Sequence, residues 1–206
     1  MPGREVNAVV FDIGGVLLDW DPRHLYRQLF TDPDEMADFL ATICTSDWHR
    51  EHDLGIDTRQ SCQLLARQHP GRADLIMAWA DRREEMIAGQ IDGTVALLAE
   101  LKAAGLPCFA LSNMEPDSYL IRRDRYPFMR WFDDCVISGI EGVAKPDRRI
   151  FEILLGRHGL DPDRTVFIDD SPANVEAATR IGIAAIRFVS ADELRGELLA
   201  LGLPPG

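Results

Sequence analysis

The sequence predicts an α/β fold, with a doubly wound parallel sheet that is interrupted after its first strand by an all-helical cap. Three observations lead to this prediction. Short apolar runs recur along the chain, helical patterns lie beside most of them, and residues 20–91 offer several helical patterns without a convincing strand. Regular alternation of strands and helices is typical of a parallel sheet that is covered by helices on both faces.

The predicted strands are short runs rich in apolar and β-branched residues. The first covers residues 6–11 and is followed by a Gly-Gly pair, as expected for a strand that is buried on both faces. Four later runs have the same character and cover residues 107–112, 135–138, 165–168 and 184–189. Apolar periodicity predicts helices over residues 94–104, 148–158 and 172–181, and the first of these ends before Gly105.

Residues 20–91 form a segment of a different kind. Helical patterns cover residues 33–43, 58–68 and 72–88. A plain loop of roughly seventy residues is rare in a compact domain, so we expect this segment to pack as a small helical unit. The predicted domains are therefore an α/β core of residues 1–19 and 92–206 and a helical cap of residues 20–91.

Composition excludes several classes of partner. The formal net charge of −12 is spread along the chain without a cluster of Lys and Arg, which argues against nucleic acid or an anionic membrane. The start lacks an apolar signal region and no apolar run has bilayer length, so we expect a cytoplasmic protein. The four cysteines are far apart and show no Cys-x-x-Cys spacing, which predicts reduced thiols in packed positions.

Polar side chains follow four of the predicted strands. Because parallel strands present their carboxyl ends at one edge of the sheet, we expect these side chains to converge. Carboxylates suit Mg²⁺, and an ammonium and a hydroxyl suit the oxygens of a phosphoryl group. Together they supply a nucleophile, charge neutralisation and alignment, as phosphoryl transfer requires. The side chains are those of Asp12, Ser112, Asn113, Lys145, Asp169 and Asp170.

Four motifs around these residues resemble those of the haloacid dehalogenase superfamily. They are VVFDIGGVL at 9–17, LSNM at 111–114, VAKPDRRIF at 143–151 and VFIDDSPANV at 166–175, in the order and at the spacing of that family. The resemblance covers nearly the whole chain, and the pattern is most similar to small capped sugar-phosphate phosphatases and the phosphatase domain of soluble epoxide hydrolases. Four motifs in order are far more specific than any one of them. The resemblance implies a Rossmann-like core and a phosphatase that uses Mg²⁺ on a small phosphorylated metabolite.

The resemblance also implies a role for each motif residue. Asp12 would be the nucleophile that forms an aspartyl-phosphate, while Ser112 and Lys145 would contact the transferring phosphoryl group. The substrate would further contact Ile13, Gly14 and Asn113, together with His49 of the cap. The residues that would hold Mg²⁺ directly or support it are Asp12, the backbone carbonyl of Gly14, Asp169 and Asp170, with Asn174 near the metal.

Position 14 departs from the family pattern. Phosphatases of this superfamily commonly place an aspartate two residues after the nucleophile, where it protonates the leaving oxygen and then activates water, whereas this chain has Gly14. Loss of a general acid typically lowers the rate ~10²- to 10⁴-fold. An activated substrate, such as a sugar 1-phosphate or an acyl phosphate, would need less protonation. Alternatively the cap supplies the proton, and residues 48–52, which include two histidines, are the candidate segment.

Other interpretations also remain open from the sequence. The same aspartate could attack a carbon that bears a halide, although the Asp169–Asp170 pair would repel a carboxylate substrate unless Mg²⁺ neutralised it. Because Gly14 replaces the usual acid, a regulator that binds phosphate or a metabolite without turnover is a third possibility. The mixed-charge run at 122–125, which begins with Arg122, is expected to be a solvated helix face.

Overall fold

The structure is a computed structural model that describes residues 5–203. Residues 1–4 and 204–206, which the sequence assigns to the core, lie outside the described part. Within residues 5–203 the chain forms seven strands and eleven α-helices. The strands are β1 (Ala8–Phe11), β2 (Leu18–Trp20), β3 (Ile87–Gln90), β4 (Cys108–Ser112), β5 (Asp134–Ile137), β6 (Thr165–Asp169) and β7 (Ala184–Arg187).

The helices alternate with the sheet strands in the core and follow one another between β2 and β3. They are α1 (Pro22–Tyr26), α2 (Pro33–Thr42), α3 (Ser46–Asp53), α4 (Thr58–Gln68), α5 (Ala73–Asp81), α6 (Asp92–Ala103), α7 (Pro116–Arg125), α8 (Ser138–Glu141), α9 (Arg148–His158), α10 (Pro172–Arg180) and α11 (Ala191–Ala200). None of the described helices has the length and apolar character needed to cross a bilayer.

The central sheet is parallel and has the strand order β5-β4-β1-β6-β7. Each of the five predicted strands is confirmed, with bounds that differ by at most two residues. The chain runs outward from β1 through β4 to β5 and then returns to β6 on the other side of β1. This reversal creates a topological switch point beside β1, where the carboxyl ends of the strands leave a crevice.

Alternate residues of the sheet feed two hydrophobic cores. In β1, Val9 and Phe11 face one core together with residues of α6 and α11. Ala8 and Val10 face the other core together with residues of α9 and α10. Because successive side chains of a strand point to opposite faces, a strand covered on both sides is apolar throughout, which is why the sequence run could be recognised.

The helices between β2 and β3 form a third apolar cluster of their own. Its buried residues include Tyr26, Phe39, Ile76 and Trp79, and no strand of the central sheet contributes to it. Side chains at the first residues of these helices fix where they begin: the Thr45 hydroxyl accepts a hydrogen bond from the backbone N–H of Trp48 at the start of α3. We propose that this cluster is the core of the cap, within the predicted limits of residues 20–91.

The prediction of one helix over residues 72–88 is wrong, as is the absence of a strand in this part of the chain. The segment contains α5, then a 3₁₀ turn at Arg83–Met86, then β3. Strand β3 pairs antiparallel with β2, with Leu18 opposite Gln90 and Trp20 opposite Ile87. This pairing joins residues about seventy apart in sequence, so the local apolar period gave no sign of it.

The packed positions predicted for the cysteines are confirmed. All four cysteines are free; Cys44, Cys62 and Cys108 are buried, and Cys135 is half-buried.

Candidate active site

The site is built around Asp12, the residue that follows β1. Its backbone N–H donates to the carbonyl of Ile168 in β6, 2.8 Å away, which fixes Asp12 at the switch point. Its side-chain Oδ1 accepts a hydrogen bond of 2.7 Å from the backbone N–H of Ile13. The side chain of Ile13 packs in the hydrophobic core, and the residue is not among those that line the cavity described below. Its observed role is therefore to orient Asp12.

Lys145 joins Asp12 to β6. Its ammonium is buried, with Nζ 2.9 Å from Asp12 Oδ2 and 2.6 Å from Asp169 Oδ2. A pair of hydrogen bonds holds the backbone of Lys145: the Asn113 side-chain amide donates to its carbonyl over 2.9 Å, and its N–H donates to Asn113 Oδ1 over 2.8 Å. One N–H and one lone pair of the Asn113 amide position the lysine, and its second N–H and second lone pair remain for the predicted substrate contact.

Asp169 has little capacity left for a further ligand. Its side chain is fully buried, and Oδ1 accepts hydrogen bonds from the backbone N–H of Ser171, at 2.8 Å, and from Asn174 Nδ2, at 3.0 Å. The same Nδ2 lies 3.1 Å from Oδ2, which also receives the Lys145 ammonium. This saturation makes Asp169 a residue that orients Lys145, while Asp170 beside it is exposed toward the cavity.

The acidic cluster fits a hard cation. Asp12, Asp169 and Asp170 each offer a carboxylate oxygen within 4.8 Å of the others. An all-oxygen donor set of this kind suits Mg²⁺, which binds through one or two carboxylates and keeps several waters. Asp12 and Asp170 are the members with oxygens still available, and Gly14, whose carbonyl was predicted as a further ligand, lines the same cavity.

Gly15 allows the turn after β1 to approach Asp170. Its φ of +74° lies in the left-handed region that L residues with a side chain rarely adopt. A Cβ at this position would lie 2.6 Å from Asp170 Oδ2 and would displace the carboxylate. Both constraints require glycine, so the Gly-Gly pair serves the acidic cluster as well as ending the strand. Gly14 differs, because a Cβ there would meet nothing closer than Trp20 Cβ at 3.9 Å.

Burial and mutual charge shift the pKa values of the site. Burial raises the pKa of Asp12 from 3.8 to about 7, against the lowering effect of Lys145, and the charge of Asp169 adds to the rise. Burial alone would lower the pKa of Lys145, but the carboxylates of Asp12 and Asp169 raise it above its ordinary value. The pKa of Asp170 is also raised, by burial and by Asp169. A cation bound to the cluster would offset this crowding of negative charge.

A cavity of about 400 Å³ opens above the strand ends. The core contributes Asp12, Ser112 and Asp170 to its wall, and Ser112 is buried at the end of β4. The cap contributes Trp20 and His49, whose rings stack with centroids 5.1 Å apart and planes inclined by 18°. The predicted catalytic residues of the core and the predicted cap contact therefore face one cavity, except for Lys145, which lies beneath Asp12.

His49 is a poor source of a proton. Burial lowers the pKa of its imidazole from 6.5 to about 4, and the neighbouring His52 lowers it further. At neutral pH the ring is therefore uncharged. Its Nδ1 is buried without a hydrogen-bond partner among the described residues. The imidazole remains available as a hydrogen-bonding group for a substrate, which agrees with the predicted binding role.

Several charged residues of the cavity wall were not predicted as site residues, and they include Asp53, Glu115 and Arg122. Arg122 corrects the expectation of a solvated helix face, since the residue is only 8% exposed. The signal for Arg122 was its position four residues after Ser118, because both lie on the face of α7 that turns inward. Glu115 is held by Arg83 NH1, at 2.8 Å, and by the Ser118 hydroxyl, at 2.9 Å.

Comparison with known proteins assigns the chain to a family of hydrolases. The sequence profile of a hydrolase family, haloacid dehalogenase-like hydrolase, matches residues 6–182. The chain belongs to this family. It is a hydrolase with the α/β core that the motifs predicted, and the superfamily resemblance stated from the sequence is confirmed.

Curated relatives in the family include phosphatases. The chain is 27% identical over 185 residues to the sesquiterpene phosphatase astK of Aspergillus oryzae, covering 88% of this chain and 89% of that protein. It is 30% identical over 201 residues to the GMP/IMP nucleotidase YrfG of Escherichia coli, covering 87% of this chain and 81% of that protein. The crystal structure of a family enzyme, bt-2542 of Bacteroides thetaiotaomicron, solved as a magnesium complex, superposes with a TM-score of 0.72. In that superposition the identity is 19%, with 95% of this chain and 99% of the other covered.

Proposed function

We propose that this family member is a Mg²⁺-dependent phosphatase that hydrolyses a small phosphate monoester through an aspartyl-phosphate on Asp12. The observation that carries the proposal is the position of the Asp12 carboxylate. Its Oδ2 lies 2.9 Å from the buried Lys145 ammonium, and it shares one cluster of carboxylate oxygens with Asp169 and Asp170. The polar chemistry of this arrangement matches a phosphoryl group, which needs positive charge on one side and a nucleophile in line.

In the proposed reaction, an oxygen of Asp12 attacks phosphorus while the ester oxygen departs. Lys145 Nζ holds Asp12 Oδ2, 2.9 Å away, and the backbone N–H of Ile13 donates to Oδ1 over 2.7 Å, so the carboxylate has a fixed orientation in the cavity wall. The same ammonium offsets negative charge on the transferring oxygens, and the Ser112 hydroxyl at the end of β4 aligns them. Water then attacks the aspartyl-phosphate and regenerates the carboxylate.

Mg²⁺ would be held by Asp12, Asp170 and the backbone carbonyl of Gly14, with Asp169 keeping Lys145 and Asn174 in place. When bound, Mg²⁺ would act as a Lewis acid that neutralises phosphoryl charge and allows an anionic ester to approach an acidic site. The magnesium complex of the Bacteroides relative supports this choice of ion.

The cavity supports a small, polar substrate. Its volume of about 400 Å³ suits a ligand of metabolite size, and its wall combines the Trp20–His49 stack with the charged groups of Arg122 and Glu115. Arg122 Nε is buried without a hydrogen-bond partner among the described residues, and Glu84 Oε1, 3.6 Å away, offsets its charge. Its N–H remains a donor for an acceptor-rich substrate. A sugar 1-phosphate, whose leaving group departs readily, fits both this wall and the glycine at position 14.

The test is a panel of phosphorylated metabolites assayed for phosphate release with Mg²⁺, using Asp12→Asn as the blank. The proposal requires release by the parent protein that Mg²⁺ restores after EDTA treatment, and at least ~10³-fold slower release by the blank. Equal rates in the two proteins would disprove the role of Asp12. Halide release from a 2-haloacid in EDTA would instead favour dehalogenation, and metal-dependent binding without release of phosphate would favour a regulator.

A further inference from the structure

A carboxyl group of the cap lines the same cavity as Asp12. Asp53 is the last residue of α3 and lines the cavity that contains Asp12 and Ser112. Its side chain is 13% exposed, and its Oδ1 lies 3.9 Å from His49 Nε2, beyond hydrogen-bond distance. The reaction proposed for Asp12, Ser112 and Lys145 gives the Asp53 carboxyl no role.

The backbone of Asp53 is tied to the phosphate-binding side of the core. Its carbonyl accepts a hydrogen bond from the Ser138 hydroxyl of α8. The same hydroxyl accepts one from the backbone N–H of Met114, 2.9 Å away, and Met114 lies two residues after Ser112. One hydroxyl therefore links the end of α3 to the segment that follows Ser112, which fixes the backbone of Asp53 relative to the proposed phosphoryl site.

Two glycines permit this contact. Gly55, with a φ of +93°, passes so close to α8 that a Cβ would lie 2.8 Å from the carbonyl oxygen of Gly139. A Cβ on Gly139 would lie 2.9 Å from the carbonyl oxygen of Met114. A side chain at Gly55 would push the end of α3 away from α8, and one at Gly139 would push α8 away from Met114, so both glycines permit the close packing that positions the backbone of Asp53.

The charges around Asp53 suit proton exchange near neutral pH. Burial raises its pKa from 3.8 to about 7, and Glu115 adds to the rise. Lys145, Arg122 and Arg50 act in the opposite direction. His49, one helical turn before Asp53, is uncharged near neutral pH and therefore adds no charge beside the Asp53 carboxyl. The charges of a phosphate group and of Mg²⁺ shift the pKa of a neighbouring carboxyl in opposite directions.

We propose that Asp53 is the general acid and base that position 14 lacks, an inference that depends on the proposed phosphatase function. As the bond from Asp12 to phosphorus forms and the bond to the ester oxygen breaks, the Asp53 carboxyl gives its proton to that oxygen. The resulting carboxylate then takes a proton from the water that attacks phosphorus, and the bond from phosphorus to Asp12 breaks. Both steps balance, and Asp53 ends protonated as it began.

The test compares two esters in the parent protein and in Asp53→Asn, which has nearly the same shape. An aryl ester such as p-nitrophenyl phosphate leaves without protonation, whereas a primary alkyl phosphate requires it. We expect kcat of Asp53→Asn to fall ~10²-fold or more on the alkyl ester and less than ~10-fold on the aryl ester. The alkaline limb of the kcat profile on the alkyl ester should disappear with the carboxyl.

Two further variants separate chemistry from structure. Asp47→Asn removes an exposed carboxylate from the same helix and should change neither rate. Gly14→Asp in the Asp53→Asn background supplies an acid at the family position, where a Cβ has room beside Trp20, and should restore at least ~10-fold on the alkyl ester. A merely structural role for Asp53 would not produce this rescue.

The outcomes distinguish the two proposals. Equal losses on the two esters, or no loss on either, would overturn the assignment of Asp53 and leave the phosphatase proposal standing. A parent protein that released phosphate from neither ester nor any metabolite in the panel would overturn both. Selective loss on the alkyl ester, with rescue by aspartate at position 14, would establish Asp53 as the proton donor.

Discussion

Replacement of Lys145 by methionine removes the cation from the centre of the acidic cluster with little change in volume. The ammonium is inaccessible to solvent and lies 2.9 Å from Asp12 Oδ2 and 2.6 Å from Asp169 Oδ2. Its loss leaves two carboxylates buried together without compensation, and breaking a buried pair in this way costs about 3–5 kcal/mol. We expect the free energy of unfolding of metal-free Lys145→Met to fall by this amount at pH 8.

The loss should depend on pH in a defined direction. The pKa of Asp12 is already raised to about 7 with Lys145 present, and removal of the cation raises it further. A carboxyl whose pKa is higher in the folded protein than in the unfolded chain holds its proton better when folded, so stability is lost as pH rises through that pKa. The gap between Lys145→Met and the parent should therefore be largest at pH 8 and smaller at pH 5, where protonation relieves the repulsion.

Urea unfolding in EDTA at pH 5 and pH 8 measures both effects. Lys102→Met is the matched control, because Lys102 Nζ also lies 2.8 Å from an aspartate, Asp133, but this pair is on the surface. The control should lose less than ~1 kcal/mol. A loss in Lys145→Met no larger than in the control, or one that grows toward pH 5, would refute the argument that Lys145 compensates buried carboxylates.

Other features of the site and core lead to further expectations. Gly15→Ala should weaken Mg²⁺ binding measured by calorimetry at least ~10-fold and lower stability by about 1–3 kcal/mol, because its Cβ would lie 2.6 Å from Asp170 Oδ2 in a left-handed backbone. Unchanged affinity would contradict the close approach. Asp170→Asn should abolish the rise in the unfolding midpoint that Mg²⁺ produces in the parent protein, and a retained rise would exclude Asp170 as a ligand. Burial raises the pKa of the Cys44, Cys62 and Cys108 thiols to about 12, so labelling by a thiol reagent at pH 8 should be slow until urea unfolds the chain.

The sequence contained enough information to locate the sheet and the residues at its carboxyl edge. Strands β1, β4 and β6 are buried throughout because helices cover both of their faces, and the run of mainly apolar residues that this requires is a local pattern. Convergence of Asp12, Lys145 and Asp169 then followed from the geometry of parallel strands. The mutual positions of these side chains remained a prediction until distances of 2.6–2.9 Å brought them into one network.

What the sequence did not disclose depends on contacts between distant segments. Strand β3 exists because it pairs with β2 at the entrance to the cap, and nothing in its own residues distinguished it from a continuing helix. In the sequence, Asp53 is an ordinary polar residue at a helix end. Only the fold brings the Ser138 hydroxyl, 85 positions later, into a hydrogen bond with its backbone carbonyl. Arg122 has mixed-charge neighbours typical of a surface, and its burial and its ion pair with Glu84, 3.6 Å away, appear only in the folded chain.

The pairing of β2 with β3 bears on how the helical segment between them can be exchanged for another. Trp20 of β2 is paired with Ile87 of β3, so the helical segment between these strands begins and ends at almost the same point. Because the two ends of the inserted segment lie side by side, another helical unit can be grafted between β2 and β3 without distorting the central sheet. Exchange would alter the choice of ester while Asp12 and Lys145 stayed in place. A graft without a counterpart of Asp53 would, on our proposal, inherit the nucleophile but no proton donor.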